Sequence, residues 1–334
     1  MRRREFLQAA GAASLTASLG HSMCAGQSVP SVPSDAAGKS LAVRRTDSDR
    51  FELAFAPAEP RPVRILQLTD THFGNPDADS RRTDQRSFGE IRRLVERHRP
   101  DLLVHTGDFI NNDKGAGISF EAVDFFDDLN VPWTHVLGNH DIGAVSVPDF
   151  RRKMKHAAVG EFRTGGQSHY AFRFDLVSAP AGEPKFSLYC FNSGFTRPVK
   201  HVGREQVEWF EGQMRRDAEQ GIKCPSLAMI HIPVVEFEKL RAAERFAGNF
   251  GESICFETDS GDAFAAFQRS GRLKGIFSGH DHRNDFQGLW DGIELVYGRV
   301  SGWNAYGELP RGGRLIEIDL ARQSYVHHLV LPTS

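Results

Sequence analysis

The sequence of 334 residues predicts one α/β domain built of two packed sheets with helices on their outer sides. Three observations predict it. Strand runs and helical periodicities alternate through the first half of the chain. Strand runs outnumber helices in the second half. The composition is that of a globular protein, with 40% apolar and 25% charged residues, and the length supports a sizeable core.

Val63 to Leu68 is an apolar run that reads as the first strand of this alternation. Phe88, Ile91, Leu94, Val95 and His98 recur at helical spacing, and Arg99-Pro100 stops that helix. Leu102 to Thr106 is a second strand. Phe120, Val123, Phe126 and Leu129 mark a second helix that ends before Pro132, and Trp133 to Leu137 is a third strand. This β-α-β-α-β rhythm specifies a parallel or mixed sheet. Further on, His169 to Leu176, Phe186 to Phe191, Ser226 to Ile230, Leu273 to Ser278, Ile293 to Val296 and Leu315 to Ile318 read as strands. Arg204 to Gln220 reads as a helix with Val207 and Phe210 facing inward.

The amino terminus reads as an address. Arg3-Arg4-Glu5-Phe6-Leu7 matches the twin-arginine export pattern, and the mildly apolar run Ala9 to Leu19 after it is too short and too rich in small residues to span a bilayer. The expectation is a signal peptide over residues 1–25, export of the folded chain by the twin-arginine machinery, no membrane anchor, and a periplasmic or secreted location in a bacterial or archaeal cell. Residues 26–60 are expected to be a flexible leader, with Arg50 to Ala56 a possible edge strand, and residues 61–334 the folded domain. The formal charge of −2 carries no basic footprint, which excludes nucleic acid as a main partner. With Cys24 set aside, Cys190, Cys224 and Cys255 are an odd number without a C-x-x-C pair. That excludes a disulfide scaffold and a zinc knuckle.

Five short motifs stand at the carboxyl ends of expected strands, where open α/β sheets place ligands. They are Asp70-Thr71-His72, Gly107-Asp108, Gly138-Asn139-His140-Asp141, His231 and Gly279-His280-Asp281-His282. Each alone is a common turn or capping pattern. Together they supply carboxylates, imidazoles and one amide oxygen, the donor types that two adjacent ions of Fe, Mn or Zn require. Such a pair of ions supports in-line displacement at phosphorus. The glycines let the backbone turn sharply at each strand end.

This ordered set resembles the calcineurin-like metallophosphoesterase superfamily, over roughly residues 62–320. Its members include purple acid phosphatases and Ser/Thr protein phosphatases. The resemblance implies a four-layer α/β/β/α sandwich of two mixed sheets and a phosphoric ester hydrolase in which a metal-activated hydroxide attacks phosphate monoesters. It also implies that Asp70, His72 and His282 bind a first metal, that Asp108 bridges, and that Asn139, His231 and His280 bind a second. His140 would be the proton donor or a phosphate binder, with Asp141 as its orienting carboxylate. The stretches Phe277 to Phe286, Tyr297-Gly298-Arg299 and His231-Ile232-Pro233 with Glu236-Phe237 resemble most the purple-acid-phosphatase-related group of yeast and plants. One departure stands out. Three residues after the bridging Asp, where purple enzymes carry a metal-bound Tyr, this chain has Asn111, so no iron–tyrosinate colour is expected.

Other features have plainer expectations. His105 and His135 read as histidines within the sheet, His327-His328 as a solvated strand end, and Arg151-Arg152-Lys153 with Lys155 as a solvated basic face. Trp303, Asn304 and Tyr306 are candidates for the rim of the cleft. The substrate is expected to be a small-molecule or phosphoprotein phosphate ester. The same motifs would serve a phosphodiesterase, or an exported protein that binds phosphate without hydrolysing an ester.

Overall fold

The computed structural model describes residues 41–47, 49–57, 59–75, 79–111, 119–141, 143, 149, 171–179, 182–192, 202–256 and 261–333. The twin-arginine motif, Cys24 and the basic cluster at Arg151 lie outside them.

Strands β3 (Val63–Leu68), β4 (Leu102–Thr106) and β5 (Trp133–Val136) run parallel to one another, as the β-α-β-α-β rhythm requires. β12 (Gly313–Asp319) joins β3 antiparallel and β13 (Ser324–Val330) closes that side, so this five-stranded sheet has the order β13-β12-β3-β4-β5. The second sheet is built from β1 (Leu41–Arg45), β2 (Arg50–Phe55), β6 (Ala171–Ser178), β7 (Phe186–Phe191), β8 (Ser226–Met229), β9 (Leu273–Ser278), β10 (Gln287–Trp290) and β11 (Ile293–Tyr297). Its order is β1-β2-β6-β7-β8-β9-β11-β10, with parallel and antiparallel pairs mixed.

Three apolar clusters separate four layers. Leu66, Leu68 and Leu103 point from the five-stranded sheet to α1 (Ser80–His98) and α2 (Phe120–Asp128), where Phe88, Ile91 and Phe126 meet them. Their strand neighbours Ile65, Leu102 and Val104 point the other way, into the seam between the sheets, against Leu188, Leu227 and Phe277. Both faces of these strands are buried, which is why they read as continuous apolar runs and not as alternating ones. The outer face of the eight-stranded sheet packs through Tyr189 and Ile276 on α3 (Arg204–Glu219), α4 (Glu236–Ala242) and α5 (Gly261–Ser270), which contribute Phe210, Phe237 and Phe267. Among the described residues no helix is long and apolar enough to cross a membrane.

Three expectations need correction. Arg50–Phe55 is not an edge strand: it lies between β1 and β6, and the edge belongs to β1. Leu41, Phe51, Leu53 and Phe55 are buried in the inter-sheet core, so the folded part begins before residue 61. His327 is not solvated either. Its side chain is buried and its Nε2 lies 3.2 Å from Glu294 Oε1, while His328, one pleat on, is exposed. A period of two turns neighbours to opposite faces.

Candidate metal centre

β3, β4 and β5 are mutually parallel, and so are β8 and β9, so their carboxyl ends gather the five motifs along one edge of the sandwich. The two sheets are tied there directly. His280 N–H donates to Asp70 Oδ2 (3.0 Å), and His231 Nδ1–H donates to the Thr106 carbonyl (2.8 Å). The loops are under backbone strain. Asp70, His72, Asp108 and His280 all have positive φ, a conformation that non-glycine residues adopt rarely and at a cost. Gly138 is needed for close approach, since a Cβ there would fall 2.1 Å from Asp108 Oδ1.

The side chains fall into two groups that share one member. Asp70, His72, Asp108 and His282 bring their ligand atoms within 4.8 Å of one another, and so do Asp108, His231 and His280. Each carboxylate is anchored by one oxygen and offers the other. Asp70 Oδ2 takes the His280 N–H and the Thr69 hydroxyl, leaving Oδ1 3.3 Å from His282 Nε2. Asp108 Oδ1 takes the His140 N–H (2.8 Å). Its Oδ2 stands 3.1 Å from His231 Nε2, 3.6 Å from His72 Nε2 and 3.9 Å from His140 Nε2. Asn139 Oδ1 lies 3.2 Å from His231 Nε2, which brings Asn139 to the second group.

The donor chemistry fits cations. His231 Nδ1 must donate to the Thr106 carbonyl (2.8 Å), so in the neutral ring the Nε2 lone pair faces two oxygen acceptors, Asp108 and Asn139. His72 Nε2 and His282 Nε2 face each other at 3.2 Å beside Asp70 and Asp108. Converging lone pairs and buried carboxylates repel unless something positive lies between them. With protons as the sole cations, the strain shows in the pKa values. Burial alone would depress His231, but the Asp108 charge and hydrogen bond, with Asp70, push it up to about 10. Burial dominates at His72 and His280 and lowers them to about 4 and about 3. Burial also disfavours the charged forms of Asp70 and Asp108, yet the facing imidazoles hold both below the usual carboxylate range.

His140 differs from the buried imidazoles, with its side chain 26% exposed at the mouth of the centre. Asp141 is buried and serves the loop. Its Oδ1 accepts the Ile110 N–H (2.9 Å), and its Oδ2 accepts the Gly138 N–H (2.8 Å) and the His135 Nε2–H (3.1 Å). The carboxylate expected to orient His140 thus braces the loops carrying Asp108 and Asn139. His105 supports the first loop in the same way, with Nε2 3.0 Å from Thr71 Oγ1. The reading of His105 and His135 as plain sheet histidines missed this bracing. Asn192, at the end of β7, was missed as well; its Oδ1 accepts the Leu137 N–H (2.8 Å). Of the three rim candidates, Trp303 and Asn304 are tied to α1 through Glu90 and Asp84. Tyr306 alone of them stacks on a site imidazole, that of His282. Asn111 is buried beside the β4 loop, with its N–H on the Phe73 carbonyl. Cys190, Cys224 and Cys255 are all free thiols.

Comparison with a family profile points the same way. The profile of the calcineurin-like phosphoesterase family matches residues 63–284. The Arabidopsis thaliana protein named "Probable inactive purple acid phosphatase 28" is 29% identical over 301 residues, covering 78% of this chain and 76% of that protein. Phosphatase DCR2 of Saccharomyces cerevisiae is 22% identical over 264 residues, 67% of this chain and 44% of its own length. Among solved structures, a dimetal phosphatase from Danio rerio aligns over 77% of this chain and 95% of its own, with a TM-score of 0.49 and 14% identity.

Proposed function

This chain belongs to the calcineurin-like phosphoesterase family, and on that premise we propose that it is an exported enzyme hydrolysing phosphate monoesters at a two-metal site. The observation that carries the reading is Asp108, the one side chain shared by both ligand groups. Asp70, His72 and His282 would hold the first ion, Asp108 would be shared by both, and Asn139, His231 and His280 would hold the second. The mixed oxygen and imidazole donors suit Fe, Mn or Zn. When bound, the ions supply a nucleophile at neutral pH and neutralise charge on the phosphoryl oxygens.

The chain's own residues supply the rest. Asp70 and Asp108, each anchored through one oxygen, keep the donor geometry fixed. Asn139 adds a ligand without adding charge. His140, adjacent to Asn139 and partly exposed, gives a proton to the departing oxygen. Asp141 and His135 hold that loop against the Asp108 loop. The complete donor set supports catalysis over simple phosphate binding, although the names of three Arabidopsis thaliana relatives carry the word inactive.

Metal analysis of protein purified from its native host, with a panel of mono- and diesters, tests the reading. Two ions per chain and faster turnover of monoesters are expected. Preference for diesters would make it a diesterase, and two bound ions with no hydrolysis would leave a phosphate-binding protein. The export part rests on Arg3-Arg4. Lys at both positions should strand a full-length precursor in the cytoplasm, and normal processing of that variant would count against this route.

A further inference from the structure

The rim beside the first ligand group holds an aromatic side chain that the hydrolytic step does not use. Tyr306 is 51% exposed, unusual for so large a side chain, and yet it is held in place. Its ring lies against the His282 imidazole, with centroids 4.0 Å apart and planes 31° from parallel. Its hydroxyl donates to Glu252 Oε1 (2.9 Å), which also accepts the Arg283 N–H (2.9 Å). Asn284 grips the Glu252 backbone from both sides, accepting its N–H and donating to its carbonyl, each at 3.1 Å. The Arg283 guanidinium stands 5.8 Å from the Tyr306 ring centroid.

A ring fixed at its root and at its hydroxyl has little freedom left to lose when something stacks on it. The His282 ring beneath it points its Nε2 at Asp70 Oδ1, so the exposed phenol stands one ring's thickness from the first ligand group. A guanidinium within reach of the same ring can cover the far side of a stacked planar group. Resting on the phosphoesterase reading of this centre, we propose that Tyr306 is a stacking platform for the leaving group. The preferred substrates are then phosphate esters whose leaving group carries a flat aromatic or heteroaromatic ring.

The test uses the metal-loaded full chain as wild type, Tyr306→Phe and Tyr306→Leu, with metal content checked in each. Adenosine 5′-monophosphate is the ring-bearing ester and glycerol phosphate the ringless one. Stacking of a base on an aromatic side chain is worth about ten-fold or more in affinity. Tyr306→Leu should therefore lose about ten-fold or more in kcat/KM on adenosine monophosphate and less than about two-fold on glycerol phosphate. Tyr306→Phe keeps the ring and should keep most of the preference. Equal losses on the two esters would overturn the platform and leave Tyr306 a support for His282.

Calorimetric binding of the non-hydrolysable phosphonate of adenosine, against methylphosphonate, reads the same preference without turnover. If the wild type prefers the adenosine phosphonate and Tyr306→Leu does not, the platform stands even where no ester is hydrolysed. In that case the phosphoesterase reading alone falls. A wild type without preference in either assay overturns the platform.

Discussion

The Asp108 carboxylate divides its oxygens between the backbone of the next loop and the cleft, where Oδ2 is met by His72, His140 and His231. Asp108→Asn keeps the shape and removes the charge that both ions would share. It should reduce the metal content and lower turnover by about 10²-fold or more, read by metal analysis and steady-state kinetics. Full turnover with both ions retained would remove the bridging role. His140 is the complementary case, a residue in the cleft proposed as proton donor and not as ligand. As general acid it contributes about 10²–10⁴-fold, and only where the leaving group is a poor one. His140→Ala should keep its metals and lose far more kcat/KM on an alkyl phosphate than on a nitrophenyl phosphate, whose anion is stable by itself. Equal losses on the two esters would leave it a phosphate binder. Asp70, His72, Asp108, His231, His280 and His282, whose ligand atoms the fold gathers, could be picked out in the sequence because each stands within a few residues of a strand end and is of a ligating type. The partners of Asp141 were not legible. Ile110, Gly138 and His135 meet on it only when β4 and β5 lie side by side.

At the level of elements, one helix and one sheet are joined by buried charge. Arg173 of β6 is fully buried and donates to both oxygens of Asp217, near the end of α3, at 2.8 Å. Arg272 reaches the same carboxylate from the turn before β9, and Asp175 holds Arg173 from the other side. Removing one partner of such a network leaves a buried charge unanswered. Asp217→Ala should cost about 3–5 kcal/mol, measured by denaturant unfolding. A loss below about 1 kcal/mol, typical of an exposed pair, would show that the network is solvated. The helix α3 itself was legible from Val207 and Phe210, but this network was not, since Arg173 and Asp217 are 44 residues apart. β2 was misjudged for the same reason. Its neighbour β6 lies more than a hundred residues further on, and nothing local marks a strand as interior when its partner is that distant.

Over the whole molecule, the centre joins the two sheets, so metal, proton and fold are linked. In metal-free protein His231 stands at about 10, above the value of about 6.5 it has in an unfolded chain. A raised folded-state pKa stabilises the fold fully below pH ~6.5 and loses that contribution as pH rises through about 10. The Tm of chelated protein should fall across this window, and His231→Asn should flatten the fall. Metal must displace the same proton, so loading should release protons and grow tighter with rising pH over that range. A chelated protein with the same pH profile in wild type and His231→Asn would sink this linkage.

Local chemistry was enough to determine the fold class, the alternation in the first half and the residue types of the centre. Strand runs, helical spacing and strand-end motifs are written in neighbouring residues, and burial acts on them directly. Tertiary structure decided the rest. It put β2 inside its sheet, set Asp141 to brace the loops, buried His327, tied Trp303 and Asn304 to α1 and left Tyr306 standing on His282. Each of these depends on which distant strand or helix becomes a neighbour. That choice is made by the packing of two sheets against each other, which no local pattern records.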